Sequence, residues 1–170
     1  VKISFGKVSY CALDSEGNLP NAPSWQSVPV AGLSLTNEKL PGETTIQVTK
    51  KWVIPSEVTA TPAIQLELLQ NDQPFALDTT KYPQANIVDV TVDKNHTYIN
   101  LAPQSYPQVV TDVKVPQYKA DGSEYVYTVR EVVNGSIPVV SGPVDIAGEK
   151  WNVSTDGLTV TNTYIGTTNI

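Results

Sequence analysis

The sequence predicts an all-β protein built as a β-sandwich, and three observations carry that reading. Short runs alternate apolar and polar residues, the pattern of a strand with one buried face. Val and Thr abound, and 13 Pro and 10 Gly punctuate the runs at turn-like positions. No long stretch repeats its apolar residues with the 3.6-residue period of an amphipathic helix.

In chain order, residues 1–44 differ from the rest of the chain and form an N-terminal extension or additional strands. Val1 to Leu13 alternates partly and predicts one or two strands; Asp14 to Asn18 is a turn. Leu19 to Pro29 carries Pro20, Pro23 and Pro29, which confine it to a loop or an edge. Val28 to Leu35 is a further short strand, and Pro41-Gly42 marks the boundary. The main domain spans 45–165. Ile46 to Val53 is its first strand, followed by Ala63 to Leu69 with Ile64, Leu66 and Leu68 on one face. Asn71-Asp72 turns the chain into a weaker segment at Phe75 to Leu77. Ile87 to Val92 and His96 to Leu101 form a hairpin across Asp93-Lys94-Asn95. Val109 to Val115 is a strand, and Lys119 to Glu124 is a turn before the strand Tyr125 to Glu131. Pro138 and Pro143 mark edges, Trp151 and Val153 precede a Thr155-Asp156-Gly157 turn, and Leu158 to Tyr164 is the last strand. Residues 166–170 begin a C-terminal tail. Seven or more strands at this spacing predict a sandwich with long connections.

Composition narrows the function. A net charge of -6 with a pI near 4.6 supplies no basic stripe for phosphates, which argues against nucleic acid. No apolar run is long enough to cross a bilayer, and no signal peptide is expected in this segment. The single cysteine, Cys11, cannot make an internal disulfide. Three Asn-x-Ser/Thr sequons, at Asn95, Asn134 and Asn152, matter only where the source glycosylates.

The chemistry lies in three strands that break their own pattern. In the last strand Leu158, Val160, Asn162 and Tyr164 share a face, so an amide stands in line with apolar residues. In the first, Lys50 shares a face with Ile46, Val48 and Trp52; in the strand Tyr125 to Glu131, Glu131 shares one with Tyr125, Tyr127 and Val129. Singly, each has an ordinary explanation: a solvated lysine, a capping asparagine, a surface carboxylate beside Arg130. Together they place a lysine, a carboxyl and an amide where a core belongs, and buried polar groups are costly unless paired. Such a trio can react. A lysine attacks a carbonyl only when neutral, and burial disfavours its ammonium form. A protonated Glu131 would polarise the Asn162 carbonyl and relay protons to departing ammonia. The product is an amide between Lys50 and Asn162, formed once by proximity, without turnover.

The runs Val48 to Trp52, Tyr127 to Glu131 and Val160 to Tyr164, with the turn Tyr118 to Tyr125, resemble the B-type domain of Gram-positive collagen adhesins and pilins (Cna B-type). The resemblance covers about Thr45 to Tyr164. It implies an Ig-like, Cna B-type sandwich in which Lys50, rather than Lys51, is bonded to Asn162 with Glu131 promoting the bond. It also implies an extracellular, cell-wall-anchored protein of a Gram-positive surface, a sortase substrate rather than an enzyme. Its partners would be other pilin subunits joined by sortase, cell-wall peptidoglycan and host extracellular matrix. The bond would close a loop of about 113 residues, and the chain-entropy treatment of cross-links gives about 4.7 kcal/mol for a 100-residue loop.

Within that family, backbone pilins carry a Tyr-Pro-Lys type motif, whereas this chain has Tyr82-Pro83-Gln84 and Tyr106-Pro107-Gln108. The departure favours a basal or minor pilin, with an adhesin stalk domain as the alternative. A third reading is a non-crosslinked sandwich binding carbohydrate or protein, with Trp25, Trp52 and Trp151 as an aromatic platform. Of these, parity places Trp52 in the core. His96, the only histidine, has no partner at a telling spacing, and neither a Cys11–His96 pair nor a Cys11–Gln26 thioester has a supporting motif. No cofactor is implied, no zinc-ligand spacing occurs, and the acidic turns at 14–18 and 121–124 give calcium no specific support.

Overall fold

A computed structural model describes residues 2–4, 7–21, 24–28, 42–105, 107–135 and 137–167. The chain divides into two compact units, residues 1–39 and 40–170. Among the described residues every regular element is a strand.

The first unit holds a three-stranded antiparallel sheet of β1 (Lys2–Ser4), β2 (Lys7–Tyr10) and β3 (Gln26–Val28), in that order. The turn at 14–18 is built by Asp14, whose Oδ1 accepts from the backbone N–H groups of Glu16 (2.9 Å) and Asn18 (2.8 Å). Gly17 completes it at φ 83°, a conformation open to glycine at little cost. Apart from Val28, the strand expected over 28–35 lies outside the described residues.

The second unit contains two sheets. One has the order β12 (Ser141–Ile146), β13 (Glu149–Asp156), β14 (Thr159–Thr167), β4 (Glu43–Val53), β9 (Gln108–Pro116). The other has the order β11 (Ile137–Val139), β10 (Tyr127–Val133), β5 (Ile64–Gln70), β8 (His96–Leu101), β7 (Val90–Asp93), with β6 (Gln73–Pro74) also paired to β5. All pairings are antiparallel except β14 with β4, which is parallel. One core joins the two sheets: Val48, Trp52, Val113, Val115, Trp151, Val153 and Val160 from the first, and Leu66, Leu68, Ile99, Tyr127, Val129 and Val133 from the second. The all-β expectation therefore holds, with two sheets closing on shared apolar faces.

Local chemistry explains the joints. Asn71 and Asp72 adopt φ 50° and 61°, the paired left-handed conformation that a two-residue hairpin loop demands between β5 and β6. Asn71 Oδ1 then accepts from Val126 N–H at 3.0 Å, pinning the loop to the approach to β10. The segment expected as a weak strand at 75–77 is irregular instead, and Leu77 N–H donates to the buried Thr97 hydroxyl at 2.9 Å. The strand expected from Ile87 starts only at Val90, because Ala85 to Val88 close a turn through Val88 N–H to Ala85 C=O. Pro138 and Pro143 sit on β11 and β12, the outer strands of their sheets, where a missing N–H breaks no interior ladder.

Candidate functional site

β4 and β14 lie side by side within one sheet, while β10 lies inside the other. Their register sets the site. Val160 stands opposite Lys50 and Asn162 opposite Trp52, so Lys50 and Asn162 are diagonal neighbours on the same inward face. Long side chains span such a diagonal. Glu131 comes from the facing sheet, on the inward parity of β10 shared with Tyr127, Val129 and Val133. Lys50 is 1 % exposed, and Glu131 and Asn162 are fully buried. The adjacent Lys51 points outward and is exposed.

The three side chains touch. Lys50 Nζ donates to Asn162 Oδ1. Asn162 Nδ2 donates to Glu131 Oε1 at 2.9 Å. Glu131 Oε2 lies 3.1 Å from Lys50 Nζ, an ion-pair contact. The sequence predicts Glu131 donating to the carbonyl oxygen; the structure instead turns the amide nitrogen toward Glu131 and the oxygen toward the lysine. The carboxylate thus contacts both the Lys50 amine and the Asn162 amide nitrogen.

Burial pushes the Lys50 amine down to about 8, partly opposed by the charge of Glu131 and its hydrogen bond. At that value about a tenth of the amine is neutral at pH 7, against fewer than about one in a thousand for an ordinary lysine. An aromatic wall closes the site. Lys50 Nζ stands 4.2 Å from the Trp52 ring centroid, within cation–π range. Trp52 packs edge-on to Trp151 at 4.9 Å, and Trp151 edge-on to Tyr164 at 5.2 Å. Two of the three tryptophans offered as a ligand platform are therefore core: Trp151 is fully buried and Trp52 is 4 % exposed, leaving only Trp25 at the surface.

A second polar cluster is not predicted by the strand motifs. Glu67, on β5, faces away from the core yet is 2 % exposed. Its Oε2 accepts from Arg130 Nε at 2.7 Å, and its Oε1 contacts His96 Nδ1. His96 stacks on Tyr98 with ring centroids 5.9 Å apart. The histidine without a visible partner thus has one, brought by the β5–β8 pairing. The one signal in the sequence is the alternation of β5, which puts Glu67 on the same outer face as Arg130 of β10. Among the described residues, no group of three or more His, Cys, Asp or Glu is placed to hold a metal ion. Cys11 Sγ contacts its neighbour's carbonyl, that of Ala12.

No protein-family model matches the chain, and neither a curated protein nor a solved structure matches it.

Proposed function

We propose that this chain is a structural subunit of a Gram-positive cell-surface pilus, a basal or minor pilin with an Ig-like, Cna B-type sandwich, self-crosslinked between Lys50 and Asn162. The observation that carries this reading is a lysine, a carboxylate and an asparagine amide in mutual contact inside the core. The strand motifs that resemble the Cna B-type domain supply the pilin context.

In the proposed step the neutral Lys50 amine attacks Asn162 Cγ. The Nζ–Cγ bond forms, the Cγ–Nδ2 bond breaks, and ammonia leaves. Glu131 takes a proton from Nζ through Oε2 and returns one to Nδ2 through Oε1, so it ends as it began. Nothing is oxidised or reduced. Holding the groups in contact replaces a bimolecular encounter with an intramolecular one, where effective molarities are very large. A dry site also keeps water from competing for the carbonyl. The step happens once per chain, so the protein is not an enzyme in the turnover sense.

Intact mass tests the reading. The folded wild type should lack the mass of one ammonia, and Glu131→Ala should have the full calculated mass. Full mass in the folded wild type overturns the cross-link. Peptide mapping of material released from the native surface then separates a pilus subunit, joined through a lysine to a neighbouring subunit, from an adhesin stalk with no such junction.

A further inference from the structure

β9 is an outer strand, and its free side is not uniform. The ladder with β4 uses the backbone groups of Val109, Thr111, Val113 and Val115, as the bond from Trp52 N–H to Pro107 C=O fixes by parity. Those of Gln108, Val110, Asp112 and Lys114 therefore point off the sheet. At Lys114 the edge is plugged: Gln84 donates Nε2 to its carbonyl at 2.9 Å and accepts its N–H on Oε1 at 2.9 Å, imitating a strand partner. At 108, 110 and 112 no such plug exists among the described residues. Unpaired strand edges are templates for another strand, and proteins ordinarily block them.

The unplugged stretch borders a cavity of about 550 Å³ between β9 and the 85–89 turn, floored by Val88, Leu101 and Val109. Its rim carries two aliphatic side chains left in water beside each other's segment, Ile87, 95 % exposed, and Val110, 49 % exposed. Two exposed carboxylates stand beside them, Asp89 and Asp112. Each accepts a side-chain amide, from Asn100 at 3.1 Å and from Gln47 at 3.1 Å, and neither has a cationic partner among the described residues.

We propose that the β9 edge at 108–112 receives an extended segment of a partner protein by strand addition. Alternate apolar side chains of that segment would enter the cavity, and a Lys or Arg would pair with Asp112 or Asp89. Main-chain bonds to Gln108, Val110 and Asp112 supply register, and the cavity and carboxylates supply selectivity. Asp89 and Asp112 stand at the 108–112 stretch with no cationic partner among the described residues, so a basic segment complements it where a second copy of the same stretch would not. This site is independent of the Lys50–Asn162 cross-link.

The test uses a fluorescein-labelled peptide alternating valine and lysine, titrated against the full chain by fluorescence anisotropy. Val110→Pro removes an outward N–H without touching a bond to β4, and leaves the net charge unchanged. Asp112→Lys alters only an exposed side chain and carries the test if the proline variant fails to fold. Binding to wild type, weakened about tenfold or more by Asp112→Lys and by folded Val110→Pro, is the expected result. Equal binding to all three proteins means general attraction to an acidic surface and overturns the proposal. So does no binding up to about 1 mM peptide. Concentration-dependent dimerisation of wild type that Val110→Pro abolishes would assign the edge to a second copy, and overturns it too.

Discussion

Asn162 Nδ2 lies 2.9 Å from Glu131 Oε1, although the two residues belong to different sheets. Lys50 completes the contact from the strand beside Asn162. The site therefore exists only once both sheets have closed on each other, and the chemistry proposed for it must come after folding. Three predictions rest on this arrangement, and a fourth on the outer cluster around Glu67.

The first concerns the order of stability among variants. Asn162→Ala removes the proposed bond but keeps Lys50 and Glu131 paired, whereas Glu131→Ala removes the proposed bond and strands a buried amine. Loss of a loop closure of this length costs about 4–5 kcal/mol in the chain-entropy treatment. For a unit of this size that is on the order of 15–25 °C in Tm. Calorimetry should rank wild type above Asn162→Ala, and Asn162→Ala above Glu131→Ala. A reversed order of the two variants would show that the Lys50–Glu131 pair is not stabilising.

The second concerns pH. With its amine at about 8 in the folded chain and at 10.5 unfolded, Lys50 binds more protons in the unfolded state between those values. Stability of the uncrosslinked Asn162→Ala chain should therefore rise with pH from about 8 toward 10.5, with a slope approaching about 1.4 kcal/mol per pH unit. Tyr127 opposes it above pH 10: burial pushes its phenol up to about 12, so the unfolded chain loses that proton first. Urea midpoints isolate the lysine when Asn162→Ala is compared with Lys50→Met/Asn162→Ala. The double variant should lack the rise between pH 8 and 10, and a rise that persists without the amine would refute the assignment.

The third is kinetic. Chain held unfolded since synthesis, then diluted from denaturant, should lose ammonia faster as pH increases through about 8, tracking the neutral fraction of Lys50. Time-resolved intact mass provides the profile. A midpoint near 10.5 would mean that the amine reacts before it is buried.

The fourth addresses the outer cluster. Glu67→Ala leaves Arg130 and His96 without their shared carboxylate and should destabilise the chain by about 1–3 kcal/mol, with Glu67→Gln costing less because the amide oxygen still accepts from Arg130. Arg130→Ala should cost less than Glu67→Ala, since the guanidinium reaches water and the carboxylate does not. Urea midpoints decide, and equal effects would indicate that the cluster behaves as a surface pair.

Much of this was legible in the residues. Strand parity alone placed Lys50, Glu131 and Asn162 inward, because their neighbours at two-residue spacing are unambiguous core formers: Val48 and Trp52, Tyr127 and Val129, Val160. Glu67 was not legible, since the same alternation assigns it to an outer face, and only pairing across three strands shows that Arg130 and His96 cover it. β11 and β12 were missed for another reason. Ile137–Val139 is three residues long and mostly exposed, and in Ser141–Ile146 the inward positions begin with Gly142 beside Pro143, so the apolar signal is reduced to Val144 and Ile146 and the proline reads equally as a loop. The Gln84 plug on β9 had no signature either, because a glutamine that imitates a strand looks like any surface glutamine.

The parallel pairing of β4 and β14 has a consequence for length. A pull on the two ends of the second unit draws these strands past one another along a common axis. Without a covalent tie, the residues between 50 and 162 would be released as slack, about 111 residues or on the order of 390 Å of extended chain. With Nζ joined to Cγ none of that length is available. The unit becomes a link of fixed span, lengthening only through the few residues outside the clasp, and a string of such links keeps its reach under load.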